Sequence, residues 1–395
     1  MFASSEVTKG AQRDVGVRTY VGSAQKAKSM SFSRRTSPLL AILMSVACGG
    51  PTRMSEPGSP VSSGPDDAAS SGGGGGDSAA VLPEIDATPD ASYPAEAGRL
   101  PSDDGGAMPD GSEAGGDEAP GRSLMVNTTN PQLYTINFKP SDADPQASAH
   151  DDVQTALVDT TKQMRAKLVV TLSGVGSGPA VGIAQYAASL GFHAYAIAYE
   201  NGYDPSTQSN PDYFGNSRNN ELFGMGLTPG IMVNRPDSVE VRVTKALTYL
   251  QTANSAGDWS YYFDASGKVR WSDVIFIGHS HGASSAAYYA KVLRLWRAIS
   301  LSGPRDTNPV IATWLTIPSA TPIERYYGFT GTLDPQHPDH IESMQIMGYL
   351  GVLTDVMTTP APYNDSHRLQ YDGAHNDSAN CANYDPACKY MFGVQ

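Results

Sequence analysis

Apolar positions in this chain fall into strand-length and helix-length blocks, but only from about Ser123 onward. Residues 132–138 alternate with period two and predict an opening strand. Residues 167–172 read as a buried strand from their branched side chains, and residues 193–199 as the next strand. Between them, residues 180–190 have helical spacing, with Gly191 placed to end the helix. Asp237-Ser238 caps an amphipathic helix through Leu250, with Val239, Val243, Ala246, Leu247 and Leu250 on one face. Further strands are predicted over residues 274–277, 296–301, 324–330 and 368–371. Residues 340–358 read as a helix rich in Ile, Met and Leu. Residues 152–165 fit either a helix or a loop. From Asn201 to about Arg235 the chain is rich in Asn, Gly, Pro and Tyr. This stretch predicts a long loop over the strand ends, carrying Tyr203, Tyr213, Phe214, Arg218, Glu221 and Phe223, and it is expected to form part of a cleft.

Strands alternating with helices predict an α/β fold, a largely parallel sheet with helices on both faces. Chemistry in such sheets gathers at the carboxyl ends of the strands. One stretch stands out there: Val274-Ile275-Phe276-Ile277 runs into Gly278-His279-Ser280-His281-Gly282, then into Ala283-Ser284-Ser285-Ala286-Ala287. A strand, a Gly-x-Ser-x-Gly turn and a helix of small residues make a nucleophile elbow, with Ser280 at its apex. Chance alone supplies such a pentapeptide on the order of 0.4 times in a chain this rich in Gly and Ser, so the flanking elements give the match its weight.

The strand at residues 167–172 leads into Ser173-Gly174-Val175-Gly176-Ser177-Gly178-Pro179. This loop lacks the Lys-Ser/Thr end of a phosphate-binding loop and the third glycine of a dinucleotide fingerprint. Its glycines instead let a backbone N–H approach a tetrahedral oxyanion. Val175 is the first choice of donor here and Gly174 the second, with the N–H of His281 as the other donor.

The ends of the chain have a different character. Lys9, Arg13, Arg18, Lys26, Lys28, Arg34 and Arg35 make the start basic, and a short apolar run from Pro38 leads to Cys48. Residues 1–48 are read as an export signal, too short in its apolar part to span a membrane. Cys48 after Ser45-Val46-Ala47 resembles a bacterial lipobox, which implies a lipid anchor in the cell envelope; plain secretion is the alternative. Residues before Met30 are surplus to such a signal, which marks Met30 as a candidate start. Residues 49–122 form an acidic linker rich in Gly, Ser, Pro and Asp, without apolar periodicity. From 49 to 120 it carries fourteen acidic residues against Arg53 and Arg99, nearly all of the chain's net charge of −13. The acidity therefore belongs to a tether, and nucleic acid is not an expected partner. With Cys48 set aside, Cys381 and Cys388 remain as a pair that an exported protein can oxidise.

Residues 125 to 395 resemble the alpha/beta-hydrolases, and in particular a group of secreted bacterial hydrolases. That group shares a Leu-Pro-Gly-Thr-Gly loop, matched by Leu172-Ser173-Gly174-Val175-Gly176, and a Gly-His-Ser-Gln-Gly elbow, matched by Gly278 to Gly282. It also shares a strand-end Asp-Pro, matched by Asp334-Pro335. Ser173 in place of proline and His281 in place of glutamine are the departures. The resemblance implies a catalytic domain over residues 123–395 with a triad of Ser280, Asp334 and His375, in the superfamily's chain order. Asp306 and Asp339 are rival acids, and His337, His340 and His367 rival bases; His279 and His281 sit too close to the serine along the turn. Asp334, His337, Asp339 and His340 form an Asp/His cluster, read as a loop beside the triad acid with no metal expected. The implied activity is cleavage of an ester through an acyl-enzyme, without a cofactor, and the Asn- and Tyr-rich stretch after Asn201 points to a polar or carbohydrate-linked substrate more than to long acyl chains. A peptidase and an inactive surface-binding scaffold are the alternatives.

Overall fold

A computed structural model describes residues 122–202, 209–226 and 231–394. The export signal, Cys48, the acidic linker up to Gly121 and Tyr203 lie outside these residues. Strand β1 (Leu133–Phe138) is followed by a single-turn helix α1 (Pro140–Ala143), then β2 (Gln154–Asp159) and β3 (Leu168–Leu172). Helix α2 (Val181–Ser189) and β4 (His193–Ala196) come next, then α3 (Tyr213–Phe223) and α4 (Val239–Ala253). Beyond these lie β5 (Val274–His279), α5 (His281–Val292), β6 (Arg297–Leu301), β7 (Tyr326–Gly331) and α6 (His337–Ile346). Strands β8 (Thr354–Asp355) and β9 (Arg368–Tyr371) and helix α7 (Asp385–Phe392) complete the described chain.

The nine strands form one sheet in the order β1-β2-β4-β3-β5-β6-β7-β9-β8. β2 is antiparallel to both β1 and β4, and every pairing from β4 onward is parallel. With helices on both faces and the elbow after the central β5, this is the expected alpha/beta-hydrolase fold. Alternation along the buried strands separates the two cores. Leu168, Val170, Val274 and Phe276 face α4 and α5, while Val169, Ile275 and Ile277 face α2 and α7. Phe276 is fully buried, and burying such a side chain stabilises the fold by about 1.5–3 kcal/mol. Ser238 caps α4 as its sequence predicts, its hydroxyl accepting the Val241 N–H. Cys381 and Cys388 are joined as a disulfide with a Cα separation of 5.6 Å, linking the middle of α7 to the turn before it. Among the described residues no helix is long and apolar enough to cross a membrane.

Three expectations are corrected. The ambiguous stretch at 152–165 holds β2, buried along its whole length. The predicted loop after Asn201 contains helix α3. The helix expected over 340–358 starts at His337 and ends at Ile346, because Gly348 and Gly351 take positive φ and turn the chain toward β8.

Candidate active site

Ser280 stands between β5 and α5 with φ 56° and ψ −116°, a conformation that a residue with a Cβ adopts only when its surroundings force it. The flanking glycines permit the turn. A Cβ on Gly278 would lie 1.9 Å from the Gly282 carbonyl oxygen, and one on Gly282 would lie 2.5 Å from that of Leu172. As N-cap of α5, Ser280 sits at the positive end of the helix dipole, where developing negative charge is favoured.

The glycine-rich loop lies against this turn: a Cβ on Gly174 would come within 3.3 Å of the Ser280 Cβ. Asn201 fixes the loop, its amide donating to Ser173 Oγ, the Gly174 carbonyl and the Ser177 carbonyl at 3.0, 2.8 and 2.8 Å. The Tyr199 hydroxyl adds a bond to the Ser173 carbonyl. Val175 is half exposed and lines a cleft with Ser280, while His281 opens α5. All three expected oxyanion residues therefore lie around the serine.

Asp334 follows β7 and is almost fully buried. Its Oδ2 accepts from His375 Nδ1 at 2.5 Å, and its Oδ1 accepts the Gln336 N–H at 2.9 Å. Burial raises its pKa, but the Gln336 and His375 hydrogen bonds and the neighbouring imidazoles outweigh that and hold the carboxyl below its ordinary range. His375 begins the turn after β9 with its side chain about 25 % exposed. Its carbonyl accepts from His279 Nε2 at 3.1 Å and from Ser302 Oγ at 2.6 Å, which ties the histidine to the residue before Ser280. Asp334 and His375 are thus brought together. Ser280 Oγ makes no hydrogen bond to either among the described residues.

The rival groups have other partners. Asp306 holds Arg218 through both oxygens at 2.8 Å and also accepts from Trp314 Nε1. Asp339 pairs with Arg305 at 3.0 Å, and His367 donates to the Tyr326 carbonyl at 3.0 Å while stacking on Tyr327. His337 approaches Thr330 Oγ1. His340 lies 3.8 Å from Asp334 Oδ2 and bonds Thr330 Oγ1 at 2.8 Å. Burial lowers its pKa to about 3, against the pull of Asp334, so this imidazole is neutral. Asp334, His340 and His375 place ligand atoms within 4.8 Å of one another. The Asp334–His375 hydrogen bond already engages two of these groups.

Sequence reasoning passed over the buried polar network beneath the elbow. Glu221, from α3, accepts from His281 Nε2 at 2.6 Å, from Ser285 Oγ at 2.7 Å and from the Tyr289 hydroxyl at 3.2 Å. Burial raises the Glu221 pKa, yet His281 and Arg218 and the hydrogen bonds bring it below the ordinary value. Of the residues expected to form a cleft, Phe214 and Arg218 line it, whereas Tyr213 and Glu221 are buried. The cleft encloses about 90 Å³ beside Ser280.

No protein-family model and no curated protein matches the chain. Among solved structures it is similar to the fluorophosphonate-binding serine hydrolase FphF of Staphylococcus aureus, at 10% identity and a TM-score of 0.35. That match covers 66% of this chain and 98% of the other. It is similar to a bacterial heroin esterase at 14% identity and a TM-score of 0.34, covering 68% of this chain and 86% of that one. A third similar structure is the S-formylglutathione hydrolase FrmB of Staphylococcus aureus, at 11% identity and a TM-score of 0.34. It covers 66% and 97% of the two chains.

Proposed function

We propose that this chain is a serine hydrolase that cleaves esters with a small acyl group through an acyl-enzyme. The observation that carries the reading is the Asp334–His375 pair, tied by the His375 carbonyl to the residue before a strained Ser280. His375 Nε2 takes the Ser280 proton as Oγ attacks the ester carbonyl. The resulting oxyanion is held by the N–H groups of His281 and of Val175 or Gly174. The C–O bond then breaks, and His375 returns the proton to the departing alkoxide, releasing the alcohol. Water repeats the sequence on the acyl-enzyme and frees the acid. Asp334 fixes the imidazole tautomer and stabilises its charged form. No step calls for a cofactor. The cleft is much smaller than the 300–1,000 Å³ of a typical drug-sized pocket, which favours short acyl groups.

Turnover of 4-nitrophenyl acetate by the purified chain, lost at least 10³-fold in Ser280→Ala, tests this reading. Equal rates in the two proteins contradict it. Export and lipid anchoring through Cys48 form part of the proposal, supported by the basic start, the short apolar run and the acidic tether. Replacing Cys48 by Ser should move the protein from the membrane fraction to the soluble one.

A further inference from the structure

Two guanidinium groups line the cleft beside Ser280, and they are in different states. Arg218 is 2 % exposed, and its hydrogen bonds go to both oxygens of Asp306 and to Ser285 Oγ. Its charge and its donors are used within the fold. Arg305 has a side chain 35 % exposed and one ion pair, from Nε to Asp339 Oδ2 at 3.0 Å. Its two terminal nitrogens have no partner among the described residues. The backbone beneath it is fixed on both sides: its N–H donates to Ser284 Oγ, and its carbonyl accepts from Ser343 Oγ, each at 3.0 Å. Arg305 therefore presents a planar pair of donors from an anchored position.

Resting on the hydrolase reading, we propose that Arg305 is a carboxylate-binding subsite, and that the preferred substrates are esters carrying a carboxylate a few bonds from the scissile carbonyl. A guanidinium has five N–H donors in a fixed fork, so it can keep Asp339 on the Nε side and take a second carboxylate on the terminal nitrogens. The acids nearest the cleft are already compensated. Asp306 is 5 % exposed and neutralised by Arg218, and Asp339 is held by Arg305 itself. The amides of Asn308 and Gln336 complete a polar wall, with Phe214 the large apolar side chain facing it. A cleft of about 90 Å³ leaves room for a short spacer between ester and carboxylate.

Two measurements test the subsite. In the first, wild type and Arg305→Gln are compared on 4-nitrophenyl butyrate and the 4-nitrophenyl half-ester of succinate, and on phenyl acetate and 4-acetoxybenzoate. In at least one pair the carboxylated ester should have a kcat/KM about tenfold or more higher, chiefly through KM. Arg305→Gln should bring that ratio close to one, and Arg305→Lys, which keeps the charge without the fork, should restore part of it. In the second, calorimetry on Ser280→Ala should show monomethyl succinate binding at least tenfold more tightly than dimethyl succinate, with the difference gone when Arg305→Gln is added. This binding measurement needs no turnover, so it decides the subsite even if the hydrolase reading fails. Equal affinity for the two succinate esters, or a preference that survives Arg305→Gln, overturns the proposal.

Discussion

The Nε2 of His279 lies 3.1 Å from the carbonyl oxygen of His375, so the residue preceding the elbow serine holds the backbone of the proposed base. Burial keeps the His279 pKa below its ordinary value, which leaves a neutral ring that donates through Nε2–H. His279→Ala should lower kcat by about 10- to 100-fold, because small misplacements of a reacting group are costly in rate. His279→Gln, whose amide can reach the same carbonyl, should recover much of that loss. Steady-state kinetics on 4-nitrophenyl acetate check both.

Asp334→Asn keeps the shape of the acid but leaves His375 Nδ1 beside an amide that does not select the productive tautomer. A loss on the order of 10⁴-fold in kcat with little change in KM is expected, as for the corresponding change in other serine triads. Asp306→Asn removes a carboxylate that pairs with Arg218 and not with His375, so its effect should fall on folding stability.

Glu221 gives a prediction about stability. Its carboxylate is fully buried and accepts hydrogen bonds from His281, Ser285 and Tyr289. Glu221→Ala removes the acceptor of three buried donors and should cost several kcal/mol, at about 1–3 kcal/mol for each hydrogen bond lost to a buried group. The exposed Lys389–Asp385 pair, one turn apart on α7, should cost less than about 0.5 kcal/mol when Lys389 is replaced by Ala. Denaturant unfolding with unchanged slope separates the two cases.

Acid should destabilise the fold through its buried histidines. His193 donates Nε2–H to the Gly257 carbonyl and accepts the Tyr262 hydroxyl at Nδ1. Burial depresses its pKa from 6.5 to about 4, against the weaker pull of the Gly257 hydrogen bond. Between these values the unfolded chain binds a proton that the native chain does not. Stability therefore falls as pH drops through this window, by about 1.4 kcal/mol per pH unit for this group. Unfolding free energies between pH 7 and 4 should show a shallower slope in His193→Gln than in the wild type.

Features whose physical requirements are local were legible in the sequence. The elbow needs glycines on either side of the serine and small residues after it, and Gly278, Gly282 and Ala283 occupy those positions. The pairing of Asp334 with His375 was legible through strand ends and chain order, and the rivals separated only once their partners were visible. Helix α3 was not legible, because four of its six buried residues, Ser217, Arg218, Asn220 and Glu221, are polar, and Tyr213 and Leu222 alone give hydrophobic periodicity too little to register. β2 was hidden for a related reason. It is buried on both faces yet carries Gln154, Thr155 and Asp159, whose polarity is met by partners distant or adjacent in the chain: Tyr195 for Gln154, Asn137 for Thr155 and Thr161 for Asp159.

The most direct measurement is covalent labelling of the purified chain with a fluorophosphonate, followed by mass spectrometry of its peptides. A single adduct on Ser280 is expected, absent from Ser280→Ala and formed far more slowly in His375→Ala and Asp334→Asn. No adduct on Ser280, or labelling at an undiminished rate after His375 is replaced, would contradict it.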